Sequence, residues 1–227
     1  MKLKTLLIAL ALTSTAAMAQ TFTVGPMTLV KTSEPAFYPL LTDGARTVLV
    51  TQQNYTGVTS VDLASGQQRV LSTEPKAGRH IADSPVTTND KLQIVLTSHG
   101  QQTILTPNGT DNRYLWPQLS PDGKRVAYTL SGQGTWVYDL DTKQTTRVGN
   151  LRAARWFDNQ WLVAMHDSDD GYAVTASTIV MTNIDGTVQQ TLTDDSVMAM
   201  YPSALNGRVA FNTPQGQVYV MTVSINR

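Results

Sequence analysis

The chain has no cysteine, so no disulfide braces it and no thiolate serves as nucleophile or metal ligand. Its 227 residues hold three histidines, and its two glutamates, Glu34 and Glu74, stand well apart. Neither sign of charge dominates, with 17 basic and 17 acidic residues. That balance excludes the basic footprint of a nucleic-acid or anionic-membrane binder. No Gly-x-Ser-x-Gly elbow occurs, which excludes an α/β-hydrolase site. Beyond residue 19 there is no helical periodicity, so no Gly-rich phosphate loop opens a helix.

The first nineteen residues read as a cleavable signal peptide. Lys2 and Lys4 precede an apolar stretch, Leu6–Leu12, and Ala17-Met18-Ala19 is a small-x-small cleavage site. The apolar stretch is too short to span a bilayer, and nothing later reads as a membrane helix. Cleavage after Ala19 removes both lysines and leaves 15 basic against 17 acidic residues, about −2. With no cysteine beside the cleavage site for lipid attachment, the expected location is the periplasm or the medium.

The remainder, residues 20–227, is organised by a repeat. YPLLTDGARTVLVT from Tyr38, SPVTTNDKLQIVLT from Ser84, WPQLSPDGKRVAYT from Trp116 and YPSALNGRVAFNT from Tyr201 share a proline, a turn pair and an apolar strand. A weaker copy lies between Leu151 and Ala164, with Asp158-Asn159 as its turn. Second half-motifs start at Val61, Ile104, Tyr138 and Thr182, each a strand, a polar turn and a strand. Turn pairs such as Asp43-Gly44, Asp122-Gly123 and Asn206-Gly207 tolerate the positive φ of tight hairpins.

The repeat predicts an all-β fold, a single five-bladed β-propeller of four-stranded antiparallel blades. The blades fall near 34–78, 79–111, 112–150, 151–195 and 196–227. The last runs out after its third strand, and the strand 21–32 has no blade of its own. Pairing the two closes the ring and protects an edge, with a bend at Gly25-Pro26.

Residues 116–148, WPQLSPDGKRVAYT followed by TWVYDLDTKQTTRV, resemble the TolB-type, WD40-like propeller repeat: a Ser-Pro-Asp-Gly-Lys turn, an apolar strand, and a strand ending in Asp-Leu. The match is looser in the first and fifth units and degenerate in the second and fourth. The resemblance implies an exported propeller that contacts other proteins. By this reading, neither the sixth blade nor the N-terminal α/β domain of the family's namesake is expected within these 227 residues.

A propeller places its strand 1–2 and 3–4 turns on one face. Here those turns are minimal. The strand 2–3 loops and the connections between blades lie on the other face and are richer. That loop-rich face is expected to carry Tyr55, His80, Asp83, His99, Arg113, Tyr114, Met198 and Met200, and above all a group in the fourth blade. The candidate partner-binding residues are Arg152, Arg155, Trp156, His166, Asp167, Asp169 and Tyr172, because this blade departs most from the repeat and sets two arginines beside a tryptophan. Two readings stay open for Trp156, packing and binding. Tyr38, Trp116 and Tyr201 share a repeat position, which assigns them to packing between blades.

His166-Asp167-Ser168-Asp169-Asp170-Gly171 begins like a calcium loop but lacks the full pattern and its terminal glutamate, so it reads as a solvated acidic loop. His80, His99 and His166 show no zinc spacing. No metal or other cofactor is expected. The expected function is non-catalytic: a binding or scaffolding module for a protein of the cell envelope or an extracellular polymer, not inserted in a membrane. The alternative is a polysaccharide-active propeller enzyme, a glycosidase or lyase, which needs paired carboxylates in the central channel. At the positions where such acids would project, the sequence has Leu41, Thr87, Leu119 and Ala204.

Overall fold

The structure, a computed structural model, describes residues 21–80 and 84–226, with backbone alone at 79 and 80. The expected signal peptide and Asp83 lie outside the described residues, as does the side chain of His80. Two strands, β1 (Thr21–Val24) and β2 (Thr28–Val30), precede the first blade. Blade 1 is β3 (Phe37–Thr42), β4 (Thr47–Thr51), β5 (Val58–Asp62) and β6 (Gln68–Ser72). Blade 2 is β7 (Val86–Thr88), β8 (Ile94–Ser98) and β9 (Gln101–Leu105). Blade 3 is β10 (Tyr114–Leu119), β11 (Arg125–Leu130), β12 (Gly134–Asp139) and β13 (Thr145–Gly149). Blade 4 is β14 (Arg152–Trp156), β15 (Trp161–Asp169), β16 (Val174–Asn183) and β17 (Gln189–Thr191). Blade 5 is β18 (Met200–Leu205), β19 (Arg208–Asn212) and β20 (Val218–Asn226), joined by β1 and β2. Among the described residues no helix is long and apolar enough to cross a membrane.

The ring closes as the sequence predicts. β1 pairs antiparallel with the end of β20, Thr21 opposite Asn226, and β2 pairs with its start, Val30 opposite Val218. Between them the chain bends at Gly25, whose N–H donates to the Thr222 carbonyl at 2.8 Å. A Cβ at that position would run into the Thr222 hydroxyl oxygen, so a larger residue there requires the Thr222 side chain to turn away.

Four of the blades have four-stranded paths, and blade 2 has three strands. The repeat predicts a fourth strand after Asn108-Gly109. Residues 106–113 instead lead straight into β10, and that length is too short to turn, build a strand and cross back. Asn108-Gly109 is held in this connection by blade 3: the Tyr114 hydroxyl accepts from Asn108 N–H and donates to the Gly109 carbonyl, each at 2.9 Å. Tyr114 is therefore core and not a surface contact.

Apolar side chains alternate between the two neighbours of each blade. In β15, Trp161, Val163 and Met165 pack toward blade 5, while Leu162 and Ala164 pack toward blade 3. Both faces are buried, so the strand reads WLVAM without alternation. Core clusters fill the junctions of blades 2–3, 3–4, 4–5 and 5–1. Among the described residues no such cluster fills the junction of blades 1 and 2.

Candidate functional site

The first strand of four blades carries the same irregularity. Pairing skips between Phe37 and Leu40, Leu115 and Gln118, Arg152 and Arg155, and Met200 and Ser203. In each, two residues oppose one: Tyr38-Pro39, Trp116-Pro117, Ala153-Ala154 and Tyr201-Pro202. The first of each pair is left-handed, with φ of 51°, 49°, 49° and 52°. Such a conformation costs on the order of 1–3 kcal/mol for a non-glycine residue. The proline after it has no N–H to leave unpaired, which explains the Tyr-Pro and Trp-Pro repeat.

The bulge turns these side chains toward the axis, at the loop-rich end of the inner strands. Tyr38 and Tyr201, from adjacent blades, meet edge to face at 4.8 Å. Trp116 of blade 3 meets Tyr201 of blade 5 at 6.3 Å with blade 4 between them, so the rings reach each other across the axis. The equivalent residue of blade 4 is Ala153, which is buried in the core cluster shared by blades 4 and 5. Tyr55, from the β4–β5 loop, stacks on Tyr38 at 4.2 Å and an interplanar angle of 10°. The repeat assigns Tyr38, Tyr201 and Trp116 to packing between blades, and Tyr55 to the loop-rich face. They do pack, but around the axis, where they shape the centre of the loop-rich face. The signal for this was the one repeat unit in which alanine replaces the aromatic.

Blade 4 supplies the charge. Arg152 binds Asp167 at 3.1 Å and Asp169 at 2.7 Å. The Asp167 side chain is 3% exposed, and burial pushes its carboxyl above the usual carboxylate range, with Arg152 opposing. Burial also raises the Tyr201 hydroxyl. Arg155 stands two residues after Ala153, where the other blades have Leu40, Gln118 and Ser203. It is half-buried, and desolvation pulls its guanidinium down to about 10, with Tyr55 partly opposing. Its guanidinium donates to the carbonyl of its own neighbour, Ala154, at 3.2 Å.

The acidic loop expected at His166–Gly171 is largely strand. β15 and β16 form a hairpin paired from Trp161 opposite Asn183 to Asp169 opposite Val174. His166, Asp167 and Asp169 lie in β15, His166 exposed and Asp167 turned inward. Asp170 caps the tip, its Oδ1 accepting from Tyr172 N–H and Ala173 N–H at 2.9 Å each, and these donors hold its carboxyl below the usual range. The oxygens read as the start of a calcium loop thus go to Arg152 and to the turn. Tyr172, at the tip, is 99% exposed.

Trp156 is elsewhere. It sits at the opposite end of β14, 7% exposed, among Val137, Leu151 and Leu162, and its indole N–H donates to the Gln118 carbonyl of blade 3 at 3.0 Å. It occupies the inner-strand position of Leu41 and Leu119 and packs two blades together, which answers the open reading in favour of packing. Met200, 9% exposed in the junction of blades 4 and 5, is likewise core.

No protein-family model matches the sequence, and no curated protein matches it. Among solved structures the chain is similar to TolB from Acinetobacter baumannii, at 15% identity and a TM-score of 0.38, over 84% of this chain and 55% of that one. It therefore spans about half the length of that protein. It is similar to a putative TolB from Agrobacterium tumefaciens at 14% identity and a TM-score of 0.42, over 92% and 88% of the two chains. A tricorn protease structure matches at 9% identity and a TM-score of 0.40, over 86% of this chain and 20% of that one. The assignment of this chain as a five-bladed β-propeller rests on its own strand pairing, closed by its own N-terminal strands.

Proposed function

We propose that the protein is an exported, non-catalytic binding module that engages a protein partner through the loop-rich face, at blade 4. The observation that carries this reading is Tyr172. A tyrosine exposed over 99% of its surface serves no packing, yet it stands at the tip of a hairpin whose turn Asp170 caps. Rigid, exposed aromatics are the residues from which interfaces draw most of their energy. The inner strands β3, β7, β10, β14 and β18 carry no carboxylate, where a glycosidase or lyase needs a pair.

The test is capture from the native envelope fraction by the mature protein and by Tyr172→Ala. The expected outcome is a loss of capture of roughly tenfold or more, with stability unchanged within about 0.5 kcal/mol. Equal capture by both proteins rejects the blade 4 site. Arg152→Ala is a poor probe, because it strands the buried Asp167 carboxylate.

A further inference from the structure

Each blade presents an outer edge, and on four of them the edge carries a device against pairing with another strand. β6 and β13 each hold an arginine, Arg69 and Arg147. Each is also interrupted by a bulge, where the pairing skips Leu71 in β6 and Val148 in β13. β17 is three residues long. β1 and β2 have four and three residues, with the bend at Gly25 between them. β9 has none of these features. Gln101–Leu105 is five residues without charge, proline or glycine. It pairs with β8 without interruption, from Ser98 opposite Gln101 to Ile94 opposite Leu105. Gln101, Gln102, Thr103 and Ile104 are all exposed. β8 separates this edge from β7, through which the chain enters the blade.

The register of the hairpin fixes which groups the edge offers. His99 and Gly100 have φ of 51° and 77°, the conformation of a two-residue hairpin turn. Across such a turn Ser98 and Gln101 exchange both backbone hydrogen bonds, and exchanging pairs alternate along the ladder. Leu96 with Thr103 and Ile94 with Leu105 are therefore the next exchanging pairs. The N–H and C=O groups of Gln102 and Ile104 point away from β8, and these are the groups to which an added strand bonds.

We infer that β9 pairs with β9 of a second copy of this chain, antiparallel about a two-fold axis through Thr103. In that register Gln102 of each copy stands opposite Ile104 of the other. Both residues have their backbone groups turned outward, so each such pair exchanges both hydrogen bonds. Thr103 stands opposite Thr103 of the second copy, a pairing favoured across strands. The Gln102 side chain of one copy lies on the same face as Ile104 of the other and covers it. An edge that meets itself must not repel itself: β6 and β13 would bring like arginines together, and β9 has no charge to oppose its copy. The two-fold axis uses both open edges, so the assembly closes as a dimer. The contact is far smaller than the standard interface of about 1,600 Å², so the dimer is weak and depends on concentration. It lies on blade 2 and does not rest on the reading of blade 4 as the binding site.

The experiment is sedimentation equilibrium of the mature protein from micromolar to millimolar concentration. The native protein is run beside Ile104→Lys, Ile104→Glu, an equal mixture of those two, Gln102→Lys and Tyr172→Ala. The expected result is a reversible monomer–dimer equilibrium for the native protein and for Tyr172→Ala. Ile104→Lys, Ile104→Glu and Gln102→Lys should each lose the dimer, because the two-fold axis sets their like charges across one another. The mixture of Ile104→Lys and Ile104→Glu should regain it. Gln102→Lys reads the same edge if the changes at Ile104 impair folding. A native protein that stays monomeric overturns the inference, as does growth into larger species without a dimer limit. A dimer that survives all three single charges, a mixture that behaves as its separate components do, or a dimer lost in Tyr172→Ala also overturns it.

Discussion

Blades 2 and 4 are built from the same repeat and differ in almost everything a blade needs. Blade 4 is packed from both sides. Leu162, Val163, Ala164, Ile179, Val180 and Met181 are fully buried, alternating between the clusters shared with blades 3 and 5. Blade 2 contributes Val86 and Ile94 to a single cluster, shared with blade 3, and its outermost strand leaves Ile104 58% exposed. A blade is stable in proportion to the neighbours that cover its faces, much as a repeat in a stacked array depends on its interfaces. The well-covered blade is the one that carries Arg152, Arg155 and the Tyr172 hairpin. The proposed binding site thus stands on the blade whose strands are buried on both faces below the hairpin end.

The sharpest way to break the contrast is to open the ring beside the well-packed blades. Deleting residues 20–32 removes β1 and β2, and with them Phe22, which meets Trp161 edge to face at 4.8 Å, and the buried Val30. Losing two such side chains costs about 3–6 kcal/mol, and it exposes β20 as an edge, so urea denaturation should show a large drop and the protein should tend to aggregate. Trp156→Ala follows, at about 3–5 kcal/mol, because it empties the junction of blades 3 and 4 and frees the Gln118 carbonyl. A cost below about 1 kcal/mol would mean that Trp156 does not hold that junction.

Much of this was legible in the sequence because it is local. Asp-Gly and Asn-Gly turn pairs mark hairpins by backbone chemistry alone, and the incomplete last unit points to closure by the N-terminal strand. What was not legible depends on comparing positions in space. Trp156 looks like an interface residue beside Arg152 and Arg155, but aligned by the bulge it stands where Leu41 and Leu119 stand, in the core. The missing strand of blade 2 is a matter of chain length: residues 106–113 have the turn signal of Asn108-Gly109 and no room for what should follow. The axial cluster requires knowing that a bulge turns Tyr38, Trp116 and Tyr201 inward.

The looser blade should also open first. Hydrogen exchange is expected to be fastest, among the paired strands, in β7, β8 and β9, and slowest in β15 and β16, since local opening follows burial. Uniform protection across blades 2 and 4 would remove the distinction. Tyr114→Phe sharpens the same point. It deletes the hydroxyl that ties the blade 2 connection to blade 3 through Asn108 and Gly109, at a cost of about 1–2 kcal/mol, and it should speed exchange in blade 2 while leaving blade 4 unchanged.

The smallest effect is expected at the one carboxylate that blade 4 buries. Burial raises the Asp167 carboxyl above its unfolded value despite Arg152. The folded state therefore holds that proton more tightly than the unfolded state, and ionisation costs stability as pH rises through the folded value. The cost is fully present at neutral pH and absent below the unfolded value. Asp167→Asn keeps the shape and removes the charge, while Arg152 retains Asp169 at 2.7 Å. It should be slightly more stable than the native protein at about pH 7, by under about 1 kcal/mol, with the difference fading toward acid pH. Asp170 works in the opposite sense. Its carboxyl is lowered by the N–H groups of Ala173 and Tyr172, so it stabilises above its unfolded value and loses that contribution as pH falls through the folded one. Asp170→Asn should therefore weaken the hairpin at neutral pH and converge with the native protein in acid. Urea midpoints of both variants against pH read the two signs directly. If Asp167→Asn is less stable at neutral pH, its ion pair with Arg152 outweighs the burial of the carboxylate, and the hairpin is held by charge more than by packing.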